Sequence, residues 1–542
     1  MAVAASSVLA VMMPGIGPGC TSVTEVPVKR SERAGIPAGG DQATARTAAW
    51  LEAHRDDRSM LRSFLVRMPK GGDIHSHLSG AVYAESYIAW AAEAGYCLDL
   101  QSESMGLAEC PGCPDGDPYC TETLRNGTTV PVARALDDQE LYNQLIDKMS
   151  VRNLLYSGRS GHAQFFATFA EFGVIASRRQ DDMVAEVASR AASEHTSYLE
   201  LMITLQSRAV RVMGQNVGLS EDLVATRQKL LDAGLRDLVA QGRRELDEIE
   251  FERSKTMKCG TPEAAPGCGV TVRYLQQSIR IRPPEQVFAQ LVYAFELVAA
   301  DPRVVGINLV APEDDRIALA DYTRHMEMLR LLSTQVPGVP IALHAGELVL
   351  GLVRPEDLRF HIRQAVEIAG ARRIGHGVAI SYEDDALGLL ATMRKRDVLV
   401  EICLTSNDVI LGVEGAQHPI TAYRRMGVPV ALATDDAGVS RIDLSHEFMR
   451  ATTTYGLTYH DLKELARNSL SYSFLPGSSL WRARGSGGAI SMVSACAGDV
   501  PGAAIPSQEC ARFLTSSAKA REQWRLEADF AEFERLPAWQ GP

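Results

Sequence analysis

His75 and His77 flank a single serine in MPKGGDIHSHLSGA, residues 68–81. Residues two apart on a strand project to the same face, so a strand ending here presents two imidazoles side by side. Imidazole nitrogen is a common metal ligand. Yet the chain holds 12 histidines in 542 residues, and one H-x-H is equally a pair of solvated side chains. The decision rests on whether more ligands stand at comparable positions. LHAGE carries His344 and Glu347, IGHG carries His376, and ATDDAG carries Asp435 and Asp436. His75, His77, His344 and one aspartate make a three-nitrogen, one-oxygen set that suits zinc with a position open for water. Zinc lowers the pKa of such a water toward neutrality. Glu347, three residues past His344, can protonate a substrate atom, and His376 can accept or orient the water's proton. A strand-end Asp-Asp alone is more often a solvated turn or a helix cap. Imidazoles and carboxylates at four strand ends together are costly to bury without a purpose.

Eight β-like runs must carry these residues. They are 73–78, 197–204, 269–279, 304–310, 340–346, 372–378, 398–406 and 429–436. Helical patterns fill 137–155, 162–172, 180–194, 220–255, 284–299, 315–335, 355–370, 383–395 and 420–426, and an amphipathic helix is expected across 44–67. Strands alternating with helices imply parallel strands joined by crossovers. Eight of them predict an α/β fold, a (β/α)8 TIM barrel with an N-terminal helical extension, whose site lies at the C-terminal strand ends. A doubly wound open sheet is the alternative. The domain reading is signal and linker over 1–40, barrel over 41–480 and a C-terminal extension over 481–542. Long connections follow strands one and two, with cysteine-bearing inserts at about 95–135 and 220–268.

The composition, 46% hydrophobic and 23% charged, is that of a soluble globular protein. The net charge of −12 argues against nucleic acid as the main partner. The uncharged N-terminus AVAASSVLAVMMPGIGPGC reads as the apolar region of an export signal. It is too short and too broken by Pro and Gly to span a bilayer. Membrane attachment is expected only through a lipidated Cys20. Cys97, Cys110, Cys113 and Cys120 form one group, Cys259 and Cys268 a second, Cys496 and Cys510 a third. Even groups in loop-like inserts predict disulfides and an oxidising compartment, periplasmic or secreted. A zinc knuckle is the rival for the first group, while Cys403, in an apolar run, reads as a buried thiol.

MPKGGDIHSHLSGA, HAGE, RIGHG, TSND and ATDD together resemble the motif set of the adenosine deaminase family of metal-dependent amidohydrolase-type barrels, over roughly residues 60–475. FLVRMPKGG, the cysteine-bearing insert, HAQFFATFAEF and NSLSYSFLPG are similar to its secreted, adenosine deaminase-related growth factor branch. The resemblance implies one zinc per chain on His75, His77, His344 and Asp435. It implies Glu347 as the acid toward purine N1, His376 at the attacking water and Asp436 at purine N7. The expected reaction is hydrolytic deamination of adenosine or a modified adenosine, releasing ammonia. Departures fall in the substrate contacts. Ser79 stands where relatives carry a ribose-binding aspartate. Asn308-Leu309-Val310-Ala311 replaces a DL-x-G pattern whose glycine meets the purine, and Ala437 replaces a proline. The absence of a lysine in VVGINLV argues against a two-metal centre.

A cytidine-type deaminase needs H-x-E followed by P-C-x-x-C. His325-Met326-Glu327 lies in a helical run, and the single C-x-x-C is far upstream without the proline. Another amidohydrolase, an amidase or lactonase, fits the same barrel, and a non-catalytic binding protein would not need the full set of ligands, acid and base. The expected partner is a small nucleoside, with a homodimer left open.

Overall fold

The computed structural model describes residues 40–99, 104–106, 129–482 and 491–539. Eight parallel strands occur in chain order: β1 Gly71–His77, β2 Thr196–Ile203, β3 Thr271–Ile279, β4 Val304–Val310, β5 Ala342–Ala345, β6 Arg373–His376, β7 Leu399–Ile402 and β8 Val430–Leu432. They pair in two ladders, β1–β2–β3–β4 and β5–β6–β7–β8. Parallel bridges Ile307↔Ile341 and Ser76↔Asp435 join the ladders at both seams. The ring is therefore closed, which makes the fold a TIM barrel and sets aside the open sheet. Apart from β3, every strand is buried along its whole length. That is the pattern of parallel strands covered by side chains within and helices outside.

Several predicted boundaries shift for local reasons. The run 44–67 is two helices, Gly40–Ala53 and Arg58–Arg67. Asp57 caps the second by accepting from Ser59 and Met60 N–H. The run 220–255 breaks at Gly234, whose φ of +96° ends Leu223–Asp232 before Leu235–Thr256 begins. The strand expected over 398–406 stops at Ile402, and Leu404–Leu411 is helical. Its N-terminus is capped by the Glu447 carboxylate, which accepts from Leu404 N–H at 2.6 Å and from Thr405 N–H. That cap comes from a distant helix, so an apolar run conceals it. The run 315–335 divides at Asp321, and the first turn of 355–370 is a 3-10 helix, Pro355–Leu358.

The expected disulfides Cys259–Cys268 and Cys496–Cys510 are present. The segment after β2 is mostly ordered helix rather than loose insert, with Leu235, Val239, Leu246 and Ile249 of its longest helix buried. After β1, Cys97–Asp99 pairs antiparallel with Ser104–Gly106 and Thr129–Pro131. Cys97 is disulfide-bonded, whereas Cys20, Cys110, Cys113 and Cys120 lie outside the described residues. Cys403 is a buried free thiol. The C-terminal helix Ala518–Phe533 buries Trp524, Leu526, Phe530 and Phe533 and is tied to the barrel by Arg467–Glu527 at 2.6 Å. Among the described residues, no helix is long and apolar enough to cross a membrane.

Candidate metal centre and its surroundings

The ends of β1 and β8 are stitched together. His77 N–H donates to Asp435 C=O at 3.1 Å and Asp435 N–H to His75 C=O at 3.0 Å. Asp435 takes a φ of +59°, the left-handed region that aspartate tolerates better than most residues. These contacts set Asp435 Oδ1 3.4 Å from His75 Nε2 and 3.3 Å from His77 Nε2. His344, on β5, brings its Nε2 to 3.1 Å from His77 Nε2. One donor atom from each of His75, His77, His344 and Asp435 thus lies within 4.8 Å of every other.

Hydrogen bonds at the far side of each ring set which nitrogen faces the cluster. His75 Nδ1 lies 2.5 Å from Glu401 Oε2. His77 Nδ1 lies 3.1 Å from Gln277 Oε1, an orientation fixed by Gln277 Nε2 donating to Thr204. His344 Nδ1 lies 2.9 Å from Asn308 Oδ1, which also accepts the His344 backbone N–H. Each Nδ1 therefore donates, and each neutral ring leaves a bare Nε2. Three lone pairs and a carboxylate then face one another, and His75 Nε2 is buried without a partner among the described residues. Such an arrangement is repulsive unless a cation lies among the four. A positive charge is favoured at this spot: burial opposes a charge on His75, yet the Asp435 and Glu401 carboxylates beside it raise it to about 10, so a proton takes that place where no metal is bound. Burial likewise opposes ionisation of Asp435, but the His75 and His77 rings beside it hold it well below the usual carboxylate range. The donor set fits a metal ion with nitrogen and oxygen ligands.

The other sequence-derived residues surround this cluster. Glu347 is buried, and its Oε1 lies 3.6 Å from His376 Nδ1. Burial, then Asp435 and Glu313, push its carboxyl well above the ordinary range, which favours its protonated form. Its backbone N–H and that of Gly346 donate to Glu313, which bonds His361 Nδ1 at 2.5 Å. Burial lowers His376 to about 4. Asp436 is buried, with its pKa raised by burial and by Asp435, and its Oδ1 has no partner among the described residues. Ser79, half-buried in the short helix Leu78–Ala81, gives its carbonyl to Tyr87 Oη. Ala311 has a φ of +88°, the conformation glycine would supply, and its carbonyl accepts from Arg280 Nε at 3.0 Å.

The residues that support these groups are less legible in the sequence. Glu401 and Gln277 bond the rings of His75 and His77, Glu313 accepts from the Glu347 backbone, and Asn407 links His418 to His376. Glu401 carried a signal, a lone acid inside the apolar run VLVEIC. Asn407 lies in TSND, one of the motifs that carry the resemblance, while Gln277, Glu313 and His418 are polar residues in ordinary company that only the fold brings to the site.

The family model described as Adenosine deaminase matches residues 120–480, a span that begins after His75 and His77. An adenosine deaminase of Clostridium perfringens is 30% identical over 181 residues, covering 33% of this chain and 51% of that protein. One from Enterococcus faecalis is 35% identical over 173 residues, 32% of this chain and 46% of that protein. The chain thus spans about half the length of the curated relatives it matches. Among solved structures, an adenine deaminase from Arthrobacter aurescens is 17% identical with a TM-score of 0.47, covering 75% of this chain and 94% of its own. The N6-methyl-AMP deaminase from Arabidopsis thaliana is 20% identical with a TM-score of 0.46, covering 77% and 94%. With a family match running through seven of the eight barrel strands, the chain belongs to the adenosine deaminase family.

Proposed function

We propose that this protein is a zinc-dependent hydrolase that deaminates a 6-aminopurine nucleoside, adenosine or a modified adenosine. The observation that carries the reading is the convergence of three imidazole nitrogens and the Asp435 carboxylate beside the buried Glu347, whose carboxyl burial pushes well above the ordinary range. Family membership supports it. His75, His77, His344 and Asp435 would hold the metal, which supplies a water acidified toward neutral pH. Glu347 can give its proton to a purine ring nitrogen, making C6 electron-poor. Addition of water at C6 and loss of ammonia convert the amine to a 6-oxopurine. His376 holds the attacking oxygen, and the unpartnered Asp436 Oδ1 offers a polar contact to the base. Burial of these groups excludes bulk water, which strengthens each contact. Ser79 in place of an aspartate predicts loose selectivity at the ribose. The two closed disulfides support an oxidising compartment.

The test pairs elemental analysis with ammonia release from adenosine and its 2′-deoxy, 5′-modified and N6-substituted analogues. One zinc per chain is expected, lost in His75→Ala/His77→Ala. Glu347→Gln should keep the metal and lower kcat by about 10²–10⁴-fold. Wild-type turnover in Glu347→Gln would defeat the mechanism. No ammonia from any aminopurine with the metal site full would defeat the reading and favour an amidase or lactonase.

A further inference from the structure

A hydrogen-bond chain runs from the backbone to His376, and one unambiguous donor sets its direction. His418 lies just before the helix Ile420–Arg425, and its Nδ1 is 3.2 Å from Ile420 N. A backbone N–H can only donate, so His418 Nδ1 accepts and carries no proton. Burial, helped by Arg450 and His376, lowers His418 to about 3. The ring is neutral near pH 7 and its proton sits on Nε2. That nitrogen lies 3.0 Å from Asn407 Oδ1. The amide group at the other end, Asn407 Nδ2, lies 3.0 Å from His376 Nδ1. Rotating the amide by half a turn would set its NH2 against the His418 N–H, donor on donor. The amide therefore donates to His376, and His376 Nδ1 is an acceptor. The Glu347 oxygen at 3.6 Å is too far to compete for that nitrogen.

We infer that Asn407 and His418 are positioning residues that lock His376 in the tautomer with its proton on Nε2. That nitrogen is buried and has no partner among the described residues. His376 then meets the reacting oxygen as a hydrogen-bond donor. It has no lone pair at Nε2 to take a proton while the amide holds Nδ1. The tautomer follows from the hydrogen bonds alone, and its chemical consequence rests on the deaminase reading. His376 becomes a group that orients and stabilises charge on oxygen, and the role of ready base is removed from it.

The test reads the tautomer directly. Metal-loaded protein labelled with ¹⁵N-histidine, its 12 histidines assigned by single substitutions, is examined by long-range ¹H–¹⁵N correlation. His376 and His418 should each show a protonated Nε2 and a bare Nδ1. A proton on His376 Nδ1 would overturn the inference, whether or not any substrate turns over. Asn407→Asp supplies the second arm. Its two oxygens accept from both His418 Nε2–H and His376 Nδ1–H in nearly the same shape, so His376 alone should exchange tautomers. Losing one donor at the reacting oxygen should lower kcat by about 10²–10³-fold, with KM moved less and metal content unchanged. An unchanged tautomer in this variant, or an exchanged one with wild-type turnover, refutes the inference. If no aminopurine releases ammonia, the proposed function fails while the spectrum still decides the relay.

Discussion

Replacing Glu401 by glutamine tests how far the barrel interior sets the metal centre. Glu401 and Arg373 have fully buried side chains. Glu401 bonds His75 Nδ1 through one oxygen at 2.5 Å and pairs with Arg373 Nε through the other at 2.6 Å. Arg373 also meets Glu200 at 2.6 Å and lies 3.9 Å over the Phe474 ring. Both Glu401 oxygens thus face donors. Glutamine has one oxygen and one NH2, so one contact must become donor against donor. If the oxygen stays with His75, the NH2 faces a guanidinium; if it turns, His75 loses its anchor. Supports of this kind are worth about 10–100-fold in metal affinity, or about 1.4–2.7 kcal/mol. Breaking a buried ion pair costs about 3–5 kcal/mol of stability, though here Glu200 still neutralises Arg373 and the lower end applies. Glu401→Gln should therefore raise the metal Kd by about 10–100-fold in competition with a chromophoric chelator. Denaturant unfolding of the metal-free protein should show a loss of about 3 kcal/mol. Wild-type affinity together with wild-type stability would refute the claim that this buried pair holds His75 in place.

Two further substitutions have defined outcomes. A Cβ at Gly80 would lie 1.6 Å from Asp436 Oδ1 and 2.7 Å from Asp436 Cβ, so Gly80→Ala must displace Asp436. Loss of a contact worth about 1–3 kcal/mol predicts kcat/KM lower by about 10–100-fold with metal retained, and unchanged kcat/KM would show that Asp436 does not touch substrate. His325 is buried with neither ring nitrogen partnered among the described residues, and burial lowers it to about 3. The unfolded chain, with an ordinary histidine near 6.5, binds more protons than the fold between those values. The wild type should therefore lose stability relative to His325→Phe by about 1.4 kcal/mol per pH unit as pH falls from about 6.5 toward 3. Burial raises Asp73 to about 6, and Glu383 and Glu447 to about 7, which acts in the opposite sense. The difference between the two proteins across pH isolates His325, and a flat difference would refute the assignment.

Most of the barrel and its ligand layer could be read from the chain because both obey short-range rules. β1 and β6 end on His77 and His376, β5 ends one residue past His344, and Asp435 follows β8 by three residues, whereas TSND falls in the helix after β7; a strand end is a place where apolar residues give way to polar side chains. His75 and His77 share a face because strand geometry requires it. Two kinds of information escaped. One is a cap supplied from afar: Glu447 starts the helix at Leu404 inside a run that reads as strand. The other is hydrogen-bond direction. The types His376, Asn407 and His418 are visible in the sequence, and TSND is one of the motifs that carry the resemblance. Nothing in their spacing tells which nitrogen of His376 carries the proton. That follows from a chain of contacts beginning at the Ile420 backbone N–H, a group every sequence possesses and none displays. The same holds for His75, His77 and His344, whose Nδ1 atoms face Glu401, Gln277 and Asn308 on three different strands. The residue types specify what chemistry is available, and the closed ring of strands decides which lone pairs face it.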